Sequence, residues 1–489
     1  MFIIKTDITQ VGAKTAVRQN RALALDALRG LAILAMLLSG QLPFDQNALP
    51  SWMYHAQEPP PTFEWNGALS GISWVDLVFP FFLFSMGAAF PLALSRRMEE
   101  GTSAFRMTLS VLERGFLLAF FALFVQDIRP YTMSSNPGAG IWLKALLGFG
   151  ILFLILTRLP AAWPGFVKFG ARVCGWGAAL LFCLLTTFKD GKGFSLDRSD
   201  IIIVVLANMA VFGSVAWMLT RNNLVLRLGL LGIVFAVRMS NMPGPTDGWV
   251  HDLWEWSPAK WIYRLYYLQY LCIVIPGTIA GELILKWTKT QGVVKQKQGR
   301  SAFHHICSFV LMAAFVLVLL CGLKARWLLS TTLTAFFLCA VGLWMFSKPR
   351  SETESLYRQL FQWAVYWIVL GLVFEPYEGG IRKDHPTLSY YFVTSGLAIC
   401  VFIALSILID VFEQRRALRL LVENGQNPMI AYAGINNFTT PVLALTGGAM
   451  VLDHFATTPW LGFWKGVIIT MITAVMVSFF TRKGVFWRT

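Results

Sequence analysis

Residues 74–94 read WVDLVFPFFLFSMGAAFPLAL, and this stretch decides the class of the fold. Asp76 is its one charged side chain, and the apolar run is long enough to cross the roughly 30 Å hydrocarbon core of a bilayer as a helix. Backbone groups in lipid must form hydrogen bonds within their own segment, so helices are the economical way to span it. Similar runs recur along the chain. The sequence therefore predicts an all-α, polytopic membrane helix bundle.

The composition supports a membrane protein throughout. The 489 residues are 56% hydrophobic and 14% charged, whereas soluble domains have about a quarter charged residues. The net charge of +15 would suit nucleic acid in a soluble protein, but basic residues also mark cytoplasmic loops. We therefore predict membrane lipid as a partner and no nucleic acid. The seven cysteines form no pair at metal-ligand spacing, which predicts neither a metal site nor a disulfide framework.

Hydrophobic periodicity predicts about 14 transmembrane helices, with 11 to 13 as alternatives, in a single integral membrane domain over residues 1–489. The predicted spans are 25–43, 74–95, 108–127, 141–159, 170–188, 201–219, 224–238, 262–286, 302–323, 328–346, 359–374, 389–411, 428–446 and 461–480.

Charge sets the orientation of these spans. Every second loop is basic, for example RRMEEGTSAFR (96–106) and KWTKTQGVVKQKQGR (286–300). The positive-inside rule then predicts that both termini are cytoplasmic, with residues 1–21 as a cytoplasmic tail and 44–73 as an outer loop. The seventh span is short and carries Arg227. We keep it because its loss alone would place the lysine-rich loop outside.

The outer loop contains a histidine in unusual surroundings. His55 follows the aromatic segment PSWMY, and EPPP (58–61) stiffens the chain before the turn signal WNG (65–67). A histidine at this place can be a proton acceptor or a transient acyl carrier, or it can be a solvated loop residue. Asp76 at the start of the second span either complements the helix dipole or orients His55 or a substrate hydroxyl.

The first span carries Asp26 and Arg29, three residues apart and therefore on one helix face near the predicted cytoplasmic end. They form either a structural ion pair or an anion site in which Arg29 meets phosphates. Arg114 lies on the same predicted side and would add positive charge.

Five stretches together resemble the family of the lysosomal heparan-α-glucosaminide N-acetyltransferase and its bacterial branch. They are LDALRGLAIL (25–34), YHA with WNG (54–56 and 65–67), DLVFPFFLFSMG (76–87), EGGIRKDHPTLSYYFVTSGLA (378–398) and ENGQNPMIAY (423–432). The resemblance implies that cytoplasmic acetyl-CoA donates an acetyl group to a sugar or glycan on the outer side. It implies that His55 is the catalytic residue. The family has an asparagine before the outer loop where this chain has Gly40, which makes Ser39 and Gln41 candidates for that polar, donor-side role.

Outer loops offer the candidate acceptor groups, because tryptophans stack on sugars and acids bond hydroxyls. An interfacial aromatic belt would use the same residue types. The candidates are Trp65, Asn66, His251, Asp252, Glu255, Lys383 and Asp384. The sequence leaves open whether the acceptor is an amine or a hydroxyl, and whether His55 acts as a base or carries the acetyl group.

The alternative function is a transporter or flippase for a polysaccharide or a lipid-linked substrate. Asn436, Asn437 and Pro441 interrupt the thirteenth span, as in the broken helices of transporters. The bacterial-branch motifs predict a multi-pass protein of the bacterial inner membrane. The sequence leaves open whether the protein forms a homodimer.

Overall fold

The computed structural model describes residues 22–44, 48–159, 163–239, 249–290 and 299–488, and within these ranges the chain is helical. Two isolated β-bridges, Thr157 with Trp487 and Ala259 with Tyr263, are the only β-type pairing in this part of the chain. The predicted tail, residues 1–21, lies outside the described residues.

Fourteen long helices of the described ranges coincide with the 14 predicted spans, and we number them α1 to α14. They are Leu23–Ser39, Trp74–Glu99, Ala104–Asp127, Ala139–Leu156, Gly165–Leu185, Ile201–Thr220, Leu224–Met239, Leu265–Thr290, Ala302–Lys324, Leu328–Met345, Glu352–Tyr377, Leu388–Val411, 428–445 and Pro459–Arg482.

Eleven of these helices, counted over the described residues, are long and apolar enough to cross a membrane. The other three are α1 with 17 residues, α7 with 16, and the interrupted α13. The prediction of an all-α, polytopic membrane bundle is confirmed, and the count of full-length spans falls at the lower end of the predicted range. The difference comes from three helices that are short or broken.

Helix α13 is broken at its centre. It runs as an α-helix over Pro428–Gly434, widens into a π-helical turn over Ile435–Thr439, and continues as Thr440–Leu445. Pro441 has no backbone N–H to donate, which disfavours regular helix there. The side chain of Asn437 is fully buried, and its amide atoms form no hydrogen bond within the described residues. Such π-turns often occur at functional sites.

Helix α7 contains a buried arginine, Arg227, which forms an ion pair inside the bundle. Arg227 is buried and its Nη2 donates to Glu282 Oε1 of α8 at 2.6 Å, while its Nε donates to the Thr220 hydroxyl. A charge within a membrane bundle needs such partners. The pair accounts for a charged residue in a short apolar helix.

Two glycines bring α1 against the short helix Arg419–Gln426 with backbones in contact. A Cβ atom on Gly30 would overlap the carbonyl of Leu421, and one on Gly425 would overlap the carbonyl of Asp26. Small residues permit this close approach between helices. The contact places the ENGQNPMIAY segment, and with it the start of α13, beside the first helix.

The outer loop packs on the loop between α11 and α12. The backbone N–H of Gly71 donates to Ile381 O, and Arg382 Nη1 donates to Gly67 O. Gln57 is fully buried and exchanges two hydrogen bonds with the backbone of Asp384. Residues 54–57 and 383–384 therefore meet at one end of the bundle, although more than 300 positions separate them in sequence.

Candidate active site

The N-terminus of α2 holds a buried carboxylate. Ser73 and Asp76 form a capping box, in which Asp76 Oδ2 accepts from the backbone N–H of Ser73 at 2.8 Å. The same oxygen accepts from the backbone N–H of Ala56 at 3.2 Å. These two bonds leave Oδ1 of a fully buried Asp76 directed at the loop, where it lies 2.9 Å from His55 Nδ1. The helix start therefore both caps α2 and fixes the imidazole.

A second carboxylate contacts the other side of the imidazole. His55 Nε2 lies 2.7 Å from Asp384 Oδ2. Asp384 is 41% exposed, whereas Asp76 is fully buried, so the two carboxylates differ in their freedom to move. The buried Gln57 holds the backbone of Asp384 but not its side chain. Both ring nitrogens of His55 are therefore occupied, one by a fixed carboxylate and one by a carboxylate at the surface.

This arrangement favours the imidazolium form. Burial lowers the pKa of His55, but the hydrogen bond to Asp384 and the Asp76 carboxylate 2.9 Å away outweigh burial and raise the pKa to about 9 from an ordinary 6.5. Burial likewise raises the pKa of Asp384, but the hydrogen bond from His55 and the positive charges of Lys383 and His55 together outweigh burial and bring that pKa below the usual carboxyl value. These shifts favour, at neutral pH, one cation between two anions, an arrangement that we call the ion triad.

His55 opens onto a cavity of about 330 Å³, which we call the outer cavity. The names outer, middle and inner follow the predicted orientation. Polar groups of several elements line the outer cavity, namely Ser39, Gln41, Glu58, Arg129, Lys383 and Asn436. Lys383 also approaches Asp76, with its Nζ 3.9 Å from Oδ1. The cavity is thus a polar chamber beside the imidazole.

A second cavity of about 300 Å³, the middle cavity, lies deeper in the bundle. Its walls are mostly apolar, and Arg29, Arg114 and Arg488 bring positive charge to it. Met36, Ile202 and Tyr432 line both this cavity and the outer one, and we call these three residues the neck. Arg29 and Ser39 lie ten residues apart on α1, which is about 15 Å along the helix axis. The neck residues therefore form a wall common to the cavity with the arginines and the cavity with the histidine.

A third cavity of about 540 Å³, the inner cavity, shares Arg114 and Arg488 with the middle one. Arg97, Arg172 and Trp176 also line it, as does the carboxylate of Glu113. Guanidinium groups concentrated around a cavity are well suited to phosphate oxygens.

Arg114 stands out within this cationic region. It forms no ion pair in the described part of the chain, and its Nε is buried without a hydrogen-bond partner. Arg29 differs, because Asp26 lies 3.7 Å from it and its guanidinium donates to the backbone oxygens of Gly425 and Ser85. An unpaired guanidinium between two cavities is a natural site for an anionic ligand.

The family described as "Domain of unknown function (DUF5009)" matches residues 21–284, more than half of the chain. The chain belongs to the DUF5009 family. No curated protein matches it.

The DUF5009 match contains Arg29, His55, Asp76 and Arg114. It ends before Asp384, which the structure nevertheless places against His55. The site is therefore assembled from the DUF5009 region and from the remaining C-terminal part of the chain.

Several predicted site residues come together and others do not. Ser39 and Gln41, predicted on the donor side, line the outer cavity beside His55, because α1 ends at that level. Trp65 and Asn66 lie on the exposed part of the outer loop and line none of the three cavities. Asp384 contacts His55 and is therefore part of the histidine site itself.

The remaining acceptor candidates lie on a short helix away from the cavities. His251 and Asp252 belong to Trp249–Glu255, which packs against α7 and the first turns of α8 and lines none of the three cavities. The side chain of Glu255 lies outside the described residues. These positions are therefore separated from His55.

Sequence reasoning missed Arg129, Asp200 and Gln57, because no local pattern marks residues that meet only in the folded bundle. Tyr432 could have been identified from the sequence, because it is the last residue of the ENGQNPMIAY stretch.

Proposed function

We propose that this multi-pass helical membrane protein is an acyltransferase. It would transfer an acetyl group from acetyl-CoA on the arginine side to a sugar or glycan on the His55 side. The observation that carries the proposal is the row of three cavities with shared walls, which starts at a cluster of arginines and ends at a histidine held by two carboxylates. Such a row suits a long ligand with phosphates at one end and a reactive group at the other.

The residues that line the inner and middle cavities suit acetyl-CoA as the acyl donor. Acetyl-CoA would supply an activated thioester on a long arm. Arg114, together with Arg97 and Arg488, would bind its phosphates. The apolar walls of the middle cavity would hold the arm and exclude water, which strengthens the electrostatic interactions nearby.

The two carboxylates give His55 two different supports. Asp76 holds Nδ1 in place, which makes Nε2 the working nitrogen, and Asp384 covers Nε2 in the resting state. When the acceptor enters, its hydroxyl or amine would displace the partly exposed side chain of Asp384. Loss of that hydrogen bond lowers the pKa of His55 and so increases the fraction of neutral imidazole, which is the form that acts as a base.

Acyl transfer then balances as follows. A bond forms between the acceptor oxygen or nitrogen and the acyl carbon, and the carbon–sulfur bond breaks. The acceptor proton passes to His55 Nε2 and from there to the leaving sulfur. The same nitrogen would serve a two-step route in which it first carries the acetyl group.

Labelled acetyl-CoA tests the proposal on purified protein. The wild type should bind it and release CoA when an amino sugar or glycan is present. His55→Gln should abolish release while its amide keeps some of the polar contacts that support folding. His454→Ala, an exposed histidine on the same predicted side, is the matched control and should react as the wild type does. Normal transfer by His55→Gln would contradict the site.

A transporter is the second candidate, because the π-turn of α13 places Asn436 at the outer cavity and buries Asn437 without a hydrogen-bond partner among the described residues. Broken helices of this kind form substrate sites in transporters. A transporter would neither bind acetyl-CoA nor release CoA, so the same assay separates the two functions.

We further propose the bacterial inner membrane as its location, with membrane lipid as its surroundings. A size measurement in detergent would decide between a monomer and a homodimer.

A further inference from the structure

Arg129 lies at the outer cavity, beside the neck residue Tyr432. It follows α3 and lines the outer cavity together with His55. Tyr432, its neighbour, belongs to the neck and lines both cavities. An acyl group that reached His55 from the arginine side through the neck would pass Tyr432 and enter the cavity that Arg129 lines.

The guanidinium of Arg129 is held rigidly by three partners. Its Nη1 donates to Gln126 Oε1 at 2.7 Å, and its Nη2 donates to Asp200 Oδ2 at 2.7 Å. The Tyr432 hydroxyl accepts from the same Nη2 at 3.4 Å and donates to the same Asp200 oxygen at 2.6 Å. These contacts fix the group in one orientation.

Asp200 ties this cluster to the backbone. Its Oδ1 accepts from the N–H groups of Ile202 and Ile203 and so caps α6. One carboxylate therefore fixes the start of α6, the side chain of Arg129 and the hydroxyl of α13. Ile202 is itself a neck residue. Asp200 therefore links Arg129 and Tyr432 to the wall that the middle and outer cavities share.

The Nε–H of the Arg129 guanidinium differs from the N–H groups that bond Gln126 and Asp200. The Nε–H of Arg129 is buried and has no hydrogen-bond partner within the described residues. Buried N–H groups in proteins are almost always bonded, so an unmatched one calls for a ligand or a water. The charge and fixed orientation of the group favour an oxygen that carries negative charge.

We propose that Arg129 is a further catalytic residue, whose free N–H binds the carbonyl oxygen of the acyl group while His55 works on the acceptor. This inference rests on the proposed acyl transfer. During transfer negative charge develops on that oxygen, and a donor that is already oriented stabilises it without reorganisation. Tyr432 then acts as a positioning residue through Asp200.

The test compares Arg129→Lys with the wild type in purified, full-length protein. Lysine keeps the charge and an ion pair with Asp200, but it lacks the planar guanidinium and its Nε–H. We expect kcat to fall about 100-fold, as for the loss of an oxyanion donor. The dissociation constant of acetyl-CoA and the melting temperature should stay close to the wild type.

Arg198→Lys is the matched control, because Arg198 pairs with Asp190 on the same side of the bundle and lines none of the three cavities. It should keep the full rate. If Arg129→Lys is unstable, Asp200→Asn leaves the guanidinium in place but loosens it, and a loss of kcat at unchanged donor affinity would support the same role.

The possible outcomes separate the two proposals. If the wild type transfers acetyl and Arg129→Lys equals it, the role of Arg129 is refuted and the proposed function stands. If the rate loss is matched by an equal loss of acetyl-CoA affinity, Arg129 is a binding residue and the inference is again refuted. If the wild type neither binds acetyl-CoA nor releases CoA, both proposals fail.

Discussion

Removing the charge of Asp384 should shift the titration of His55 in a measurable direction. Asp384→Asn keeps the shape of the side chain but loses the anion that contacts Nε2 at 2.7 Å. A hydrogen bond to a charged group contributes about 1.5–3 kcal/mol, and 1.36 kcal/mol corresponds to one pH unit. Because Asp384 is 41% exposed, water screens it, and we take the lower end. The pKa of about 9 should therefore fall by about one unit.

NMR of ring-labelled histidine in detergent measures this directly. Six histidines give six signals, and His55→Gln identifies the one of interest. Asp252→Asn is the matched control, because Asp252 is exposed on the predicted outer side and does not contact His55. A pKa of His55 near 6.5 in the wild type, or no fall in Asp384→Asn, would refute the ion triad.

The same shift has a consequence for stability. The pKa of His55 in the folded protein lies above the ordinary 6.5, so its stabilising contribution is complete below pH 6.5 and is lost as the pH rises through 9. A rise from 6.5 to about 9 corresponds to about 3 kcal/mol. The wild type should therefore lose stability between pH 6.5 and 10 relative to His55→Gln. Parallel melting curves over this range would contradict the account.

Three further variants address the cavities and the helix contact. Arg114→Met should weaken acetyl-CoA binding about tenfold or more, because it removes a charge-assisted contact. Arg106 is exposed on the same helix, so Arg106→Met should bind acetyl-CoA as the wild type does. Calorimetry measures the affinity of both variants. Ile202→Trp should block the neck, so that acetyl-CoA binds but no CoA is released, and release at the normal rate would show that the acyl group does not pass there. Gly30→Ala should lower the stability by about 1–3 kcal/mol through overlap with Leu421, as thermal unfolding would show, and an unchanged melting temperature would contradict the close contact.

The fold could be predicted from the sequence because its signals are local. Apolar runs and the alternation of basic loops depend on neighbouring residues only, and they located all 14 long helices of the described ranges. The interruption of α13 was also visible, since Asn436, Asn437 and Pro441 stand in an apolar run. Arg227 was a weak point in the pattern because its partner, Glu282, lies on another helix.

The candidate site could be predicted only in part. His55 and Asp76 carry signals of their own, the first in a stiffened loop and the second at a helix start. Asp384 was assigned to the acceptor, and its contact with His55 depends on the packing of two loops more than 300 residues apart in sequence. Arg129 and Asp200 carry no local signal, because their role follows from the buried ion pair that they form.

In the proposed reaction the arginine side supplies the acyl group and the His55 side receives it. Reconstituted vesicles with labelled acetyl-CoA enclosed and a membrane-impermeant amino sugar or glycan outside test it directly, with protein oriented so that the termini face the lumen. We predict that the acceptor outside becomes labelled and that His55→Gln abolishes labelling. Labelling only when donor and acceptor share one compartment would contradict it.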